Sequence, residues 1–334
     1  MKIIVPMAGM GKRMRPHTLT IPKPLIPVAG KPIVQRLVED LANIAKEPVE
    51  EVAFVIGHFG DDVERSLLKI ADGIGAKGSI HYQEEALGTA HAILCAESAL
   101  DGRVIVAFAD TLFRAEMQLD PSLDGVVWVN KVEDPSAFGV VKVNDEGIIT
   151  DLVEKPTEFV SDLAIIGIYY FSDGKRLKGE LQYLIDNDIK DKGEYQLTNA
   201  LENMKDKGAR FSAGPVLEWM DCGNKDATVH TNQRVLANAN EDLVASDLKK
   251  ENAVIIPPCY IGNGVSIVDS IVGPYASIGD GTKIERSVVD DCIIQKDSKV
   301  SDARISNSML GNAVEYNGSA KNLSIGDYCT VKES

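Results

Sequence analysis

The last quarter of the chain constrains the fold most. From Ile261 the apolar residues fall at Ile261, Ile267 and Val272, then at Ile278, Ile284 and Val289, then at Ile294, Val300 and Ile305. Matching marks lie 17 residues apart between the first two sets and 16 apart between the second and third. An α-helix repeats every 3.6 residues and a plain strand every two, so neither produces this spacing. Short sides of five or six residues do, three to a coil, with glycine, serine or aspartate at the corners. Stacking such coils buries one continuous apolar column. The spacing therefore predicts a short left-handed parallel β-helix of hexapeptide repeats over 256–334, with about three to four coils and a register that blurs after Ile305.

The preceding 240 residues read differently. KIIVP (2–6), EVAFVIG (51–57), SIHYQ (79–83) and RVIVAF (103–108) are apolar runs of the kind that form strands buried on both faces. Between them lie helical patterns: Ile33, Leu37, Leu41 and Ile44 after Pro32, then the stretches after Gly60 and after Gly88. Strand alternating with helix predicts a doubly wound, mostly parallel α/β sheet over 1–240, with 241–255, where the polar stretch EDLVASDLKKEN lies, as a linker. No run approaches the length of a membrane span, and the start MKIIVP lacks a secretory leader's apolar core, so the expected location is the cytoplasm, away from membranes. Cys95, Cys222, Cys259, Cys292 and Cys329 are widely scattered, which argues against zinc sites and disulfide frameworks.

Charge is distributed unevenly. The chain carries −15 overall, yet its first 38 residues hold Lys2, Lys12, Arg13, Arg15, Lys23, Lys31 and Arg36 and no acidic residue, leaving −22 for the remainder. That balance disfavours nucleic acid and suits a small polyanion met at one place. The basic segment is also a glycine-bearing loop between a buried first strand and a helix, the usual ligand position in such sheets. Gly9 and Gly11 let backbone N–H groups approach an anion closely. Two familiar phosphate loops are excluded: a dinucleotide fingerprint needs glycine where Met14 stands, and a Walker loop needs Ser or Thr after lysine, whereas Arg13 follows Lys12.

The residues present there, Gly9, Gly11, Arg13, Met14, the segment PKPL (22–25) and Lys31-Pro32, resemble the sugar-1-phosphate nucleotidyltransferases, or nucleotide-sugar pyrophosphorylases. Lys12 departs from the family, which usually has threonine or serine there. The resemblance extends over nearly the whole chain. It implies Arg13 and Lys23 as catalytic cations, and Ala8, Gly9, Gly11, Gln83, Gly88 and Thr89 as nucleotide contacts. Gly139, Glu154, Lys155 and Gly167 match positions that hold the sugar phosphate, and Asp110 and Asp221 match ligands of a magnesium ion. The implied reaction joins a nucleoside triphosphate and a sugar 1-phosphate into a nucleotide sugar and pyrophosphate. The segment LGTAHAI (87–93) looks closer to uridylyl and thymidylyl members than to guanylyl ones, which favours UTP or dTTP with glucose 1-phosphate.

Each residue has a plainer reading. An aspartate ending a strand is more often a turn or cap, and most lysines are solvated. Lys12 and Arg15 remain secondary phosphate candidates, and His91 reads as a packed helix residue, since no second histidine lies within helical reach. Two rival functions are a noncatalytic scaffold of the same plan and an acetyltransferase using the β-helix. The scaffold would be expected to lose Arg13, Lys23 or an aspartate, and all are kept; the acetyltransferase would call for a basic imidazole, and none follows His230. The flat coils of a β-helix suit assembly, so the expected state is a homo-oligomer.

Overall fold

The computed structural model describes residues 1–45, 47–116, 120 and 122–318. They form two compact units, Met1–Ile26 with Lys31–Thr231, and Pro27–Gly30 with the chain from Asn232 onward. In the first unit β1 (Lys2–Pro6), β2 (Glu51–Ile56), β3 (Lys77–Tyr82) and β4 (Val104–Ala107) run parallel in the order β3-β2-β1-β4. The crossovers carry α1 (Ile33–Ile44), α2 (Asp61–Gly73) and α3 (Thr89–Cys95). These strands are apolar throughout because both faces are covered. Ile4, Ala53, Val55, Val104 and Val106 share one core with α3. Their alternates Ile3, Val5, Val52, Phe54 and Ile105 are equally inaccessible and point to the opposite face, where α2 packs on β2 and β3.

Beyond β4 the doubly wound sheet becomes mixed. The chain continues through β5 (Thr111–Arg114), β6 (Gly125–Lys131), β7 (Gly139–Val143), β8 (Ile149–Glu154) and β9 (Leu163–Phe171), with α4 (Gly174–Asp186) and α5 (Leu197–Asp206) following. β9 pairs antiparallel with β4, β6 and β7, and β8 antiparallel with β7, so this half of the nine-stranded sheet is antiparallel apart from β10 (Phe211–Pro215), which joins β6 in parallel. The cause is local. β7 and β8 are joined by a short turn in which Asn144 accepts from the N–H groups of Glu146 and Ile148, and a turn that short permits only antiparallel pairing. The Asp173 carboxylate caps α4 by accepting from the N–H groups of Lys175 and Arg176. β5 leaves the main sheet and pairs with β11 (Glu218–Asp221) as a separate antiparallel ribbon, and α6 (Lys225–Ala237) follows.

The second unit is a parallel β-helix with three sheets. The column Ile261, Ile278, Ile294 is in direct register, as are Ile267, Ile284, Val300 and Val272, Val289, Ile305. Pairing continues past Ile305, where a blurred register was expected, through Ser308–Leu310 and Glu315–Asn317. The expected linker is also corrected: strands at Leu243–Val244, Lys249–Glu251 and Val254–Ile255 form a first coil on the one that follows. Its periodicity is hidden because Lys250, exposed, stands at the mark that Ile267 fills one coil later. Corners recur as left-handed residues at Asn252, Asp269, Arg286 and Asp302, with φ of 46°, 48°, 46° and 54°. Asn and Asp tolerate that region better than other non-glycine residues. Residues 319–334 of the expected β-helix, Cys329 among them, lie outside the described residues.

Candidate active site

The basic loop is anchored at both ends. The Met7 N–H donates to the Val55 carbonyl at 2.8 Å, holding the chain at the carboxyl edge of the sheet. Gly11 then turns it with φ 56°, and its carbonyl accepts from the Met14 N–H and the Thr18 hydroxyl, each at 2.9 Å. A Cβ at Gly11 would stand 3.0 Å from side-chain carbons of Lys23 and Thr18, so packing and φ both favour glycine. At Gly9 an added Cβ would meet nothing within 4 Å, which leaves open space above the backbone for a ligand. Met14 is fully buried, and its thioether accepts from the Thr228 hydroxyl at 3.6 Å. Burying Met14 turns Arg13, its neighbour in the short helix Lys12–Met14, toward the sheet edge.

Two cavities open at that edge, one of about 540 Å³ and one of about 410 Å³. All six expected nucleotide contacts, Ala8, Gly9, Gly11, Gln83, Gly88 and Thr89, line the larger, as does Lys23. Gly139, Glu154, Gly167 and Asp221 line the smaller. Arg13, Thr89, Phe108 and Asp110 line both and so mark where the two cavities meet. Lys155 is the exception. It lines neither cavity, takes a left-handed backbone at φ 43°, and keeps a half-exposed ammonium 3.7 Å from Glu154.

The ribbon of β5 and β11 brings the two aspartates together from distant parts of the chain. Thr111 is in register with Asp221, and the Cys222 N–H donates to the Asp110 carbonyl at 2.9 Å. Lys23, in a short helix that Pro22 precedes, places its ammonium 2.7 Å from Asp110. Asp221 is pushed above the usual carboxylate range by burial, and the Asp110 charge adds to the effect. The Gly223 N–H, at 2.9 Å, together with Lys23 and Arg13 opposes the shift without cancelling it. Burial thus outweighs the neighbouring cations, and the charged form of Asp221 is disfavoured. Among the described residues there is no group of three or more His, Cys, Asp or Glu side chains that could hold a metal.

Residues 2–238 match the sequence pattern of the nucleotidyl transferase family, which spans both cavities and every candidate side chain. The chain is a member of that family. A glucose-1-phosphate thymidylyltransferase of Streptomyces antibioticus is 30% identical, with 99% of each chain covered. A bifunctional protein GlmU of Methanococcus maripaludis is 30% identical over 77% of this chain and 59% of its own length. Among solved structures, UDP-glucose pyrophosphorylase complexed with UDP-glucose superposes with a TM-score of 0.58 at 25% identity, covering 71% of this chain and 99% of that one.

In this nucleotidyl transferase the smaller cavity is also lined by Gln196, Thr198 and Trp219, which were not among the residues expected there. The Thr89 hydroxyl donates to Gln196 at 3.1 Å and accepts from the Leu197 N–H at 2.9 Å, and the Thr198 hydroxyl reaches Glu154 at 3.4 Å. Gln196 and Thr198 are buried, and both line the smaller cavity. Trp219 lines it too, edge-on to Phe138 at 5.0 Å between ring centroids, with its buried indole N–H unpartnered. No sequence pattern marks Gln196 and Thr198, since EYQLT (194–198) mixes charged, polar and apolar residues. Gly88 makes its approach possible: φ is 113°, and a Cβ there would fall 2.5 Å from the Tyr195 carbonyl oxygen.

Proposed function

We propose that this nucleotidyl transferase joins a nucleoside triphosphate, UTP or dTTP, to a sugar 1-phosphate, glucose 1-phosphate being favoured, and releases pyrophosphate. The single observation that carries this reading is the shared boundary: Arg13 and Asp110 belong to both cavities, with the glycine loop on one side and Glu154 and Asp221 on the other. Two substrates seated in adjoining cavities would meet there. A phosphate oxygen of the sugar ester attacks the α-phosphorus, the new P–O bond forms, and the bond to the β-phosphate oxygen breaks with its electron pair leaving on pyrophosphate. No covalent enzyme intermediate is required. The protein's task is to hold two polyanions close and to stabilise charge moving to the leaving group. Arg13 and Lys23, with the N–H groups beside Gly9 and Gly11, suit that task.

The donor set fits magnesium, which takes oxygen ligands from one or two carboxylates together with substrate phosphates. Asp110 and Asp221 would hold it, and the ribbon that sets Asp221 opposite Thr111, next to Asp110, supports the assignment. Bound there, the ion would supply positive charge to offset that of the substrate phosphates. Lys23 orients the Asp110 carboxylate through its 2.7 Å contact. Glu154 offers an acceptor for sugar hydroxyls, and the names of the relatives, a thymidylyltransferase and a UDP-glucose pyrophosphorylase, support a pyrimidine nucleotide and glucose 1-phosphate. Pyrophosphate release should be measured across triphosphates and sugar 1-phosphates, with and without magnesium. The expected result is magnesium-dependent release with UTP or dTTP plus glucose 1-phosphate. Silence across the panel would overturn the reading and favour a scaffold.

A further inference from the structure

His91 lies outside the machinery described so far, yet it touches one member of it. The Gln83 side-chain nitrogen stands 3.2 Å from the Gly88 carbonyl and 3.1 Å from His91 Nδ1. A carbonyl oxygen can only accept, so the group facing Gly88 must be the amide NH2 and not the amide oxygen. With one hydrogen directed at Gly88, the other falls to His91, whose Nδ1 must then be the unprotonated, accepting nitrogen of a neutral imidazole. Both donor positions of Gln83 are thereby occupied. Its carbonyl oxygen is the group left to meet a ligand in the cavity that Gln83 lines.

We propose that His91 is a positioning residue: by accepting from Gln83 it presents Gln83 to the nucleobase as an acceptor only, which selects bases that carry a ring N–H. This rests on the reading of the larger cavity as the nucleotide site. Uracil and thymine present N3–H at their pairing edge, and cytosine presents a bare N3 lone pair that the Gln83 oxygen would repel. Partial burial of His91 keeps the ring below its ordinary pKa. Glu85, the charged group that acts on the ring, pulls the other way through its carboxylate and its backbone, and burial outweighs it. α3, which carries His91, packs against α4, α5, β1 and β2. Protonation at acidic pH would put a donor on Nδ1, face it with the donor on Gln83, and unlock the amide.

The test uses UDP and CDP as probes of binding to the full chain, by calorimetry. Their phosphates titrate alike, so the ratio of dissociation constants reports the base alone. Wild type should bind UDP more tightly than CDP. His91→Leu should shrink that preference about threefold to tenfold, the worth of one neutral hydrogen bond. His91→Asn, which can still accept, should retain it. Between about pH 8 and about pH 5.5 the wild-type preference should fall while that of His91→Asn stays flat. If His91→Leu does not fold, the two pH profiles make the same decision. A wild-type preference that does not change with pH, or a His91→Leu preference equal to wild type, would overturn the role of His91 and leave the nucleotide site standing. Wild type binding neither diphosphate would instead overturn the reading of the cavity itself.

Discussion

In the β-helix, charged side chains stay outside and find partners one coil away: Arg286 with Asp302, Lys299 with Glu315, Asn252 with Asp269. Inside, the marks from Ile261 to Ile305 are apolar and buried. At the candidate active site the same types of side chain are drawn inward. Asp110 and Asp221 stand near one another where two cavities meet, with Lys23 and Arg13 beside them and Asp221 buried against its charged form. The first arrangement pairs neighbouring side chains locally and can be repeated from coil to coil. The second is locally unfavourable and occurs once. Sequences that satisfy all levels at once fold well, and departures concentrate where function requires them. Substitutions should therefore act oppositely in the two regions: at the site, activity falls while stability holds or rises; on the coils, little changes.

The largest expected effect is at Arg13. Arg13→Ala removes a cation that lines both cavities and leaves the buried Met14 anchor in place. Turnover should fall about 100- to 1,000-fold, the scale seen when one preorganised donor to developing charge is lost, with a smaller change in the apparent affinity for the sugar phosphate. Steady-state kinetics with both substrates would check this. Near-normal turnover would remove Arg13 from the chemistry and weaken the contrast between the regions.

Legibility in the sequence follows the same division. The β-helix could be read from spacing because each inward mark repeats one role, and it failed to be read at Lys250, where an exposed charge replaces the mark, and past Ile305, where the pairing continues. In the first unit the parallel strands were legible as apolar runs, but the antiparallel extension was not, because short hairpin strands such as β7 (GVVKV) and β8 (ITDLVE) show neither an unbroken apolar run nor a clean alternation. Motif residues at the loop, Gly9, Gly11 and Arg13, and the two aspartates all fall at the cavities. Gln196, Thr198 and Trp219 carry no pattern of their own; their part depends on a strap that crosses Gly88, and only the folded chain creates that proximity.

An intermediate effect of opposite sign is expected at Asp221. A carboxyl whose pKa rises on folding binds its proton better folded than unfolded. The resulting penalty is absent below the ordinary carboxylate range and grows as pH rises through the raised value. Asp221→Asn removes it. At neutral pH without magnesium the variant should be stabilised by at most about 1 kcal/mol, since solvent reaches part of the side chain, a Tm rise of about 2 °C. At acidic pH the difference should vanish, and magnesium should no longer raise Tm. Thermal melts across pH with and without the ion would check it. A variant less stable than wild type at neutral pH would mean that Asp221 holds the ribbon together and is not held against its preference.

The smallest effect belongs to the coils. Arg286 makes a two-pronged ion pair with Asp302 at 2.7 Å for each bond, the best geometry of any surface pair in the second unit, and yet both side chains are substantially exposed. Exposed pairs contribute little once solvent and salt screen them. Arg286 also occupies a left-handed corner, φ 46°, where the preceding coil has Asp269 and the one before it Asn252. Arg286→Asn therefore loses a screened pair and gains a residue better suited to that backbone, two terms of opposite sign. The expected Tm lies within about 2 °C of wild type, and it should be less sensitive to added salt because the pair is gone. A larger loss, persisting at high salt, would show that the coils depend on individual charges as the active site does, and the comparison between the two regions would fail.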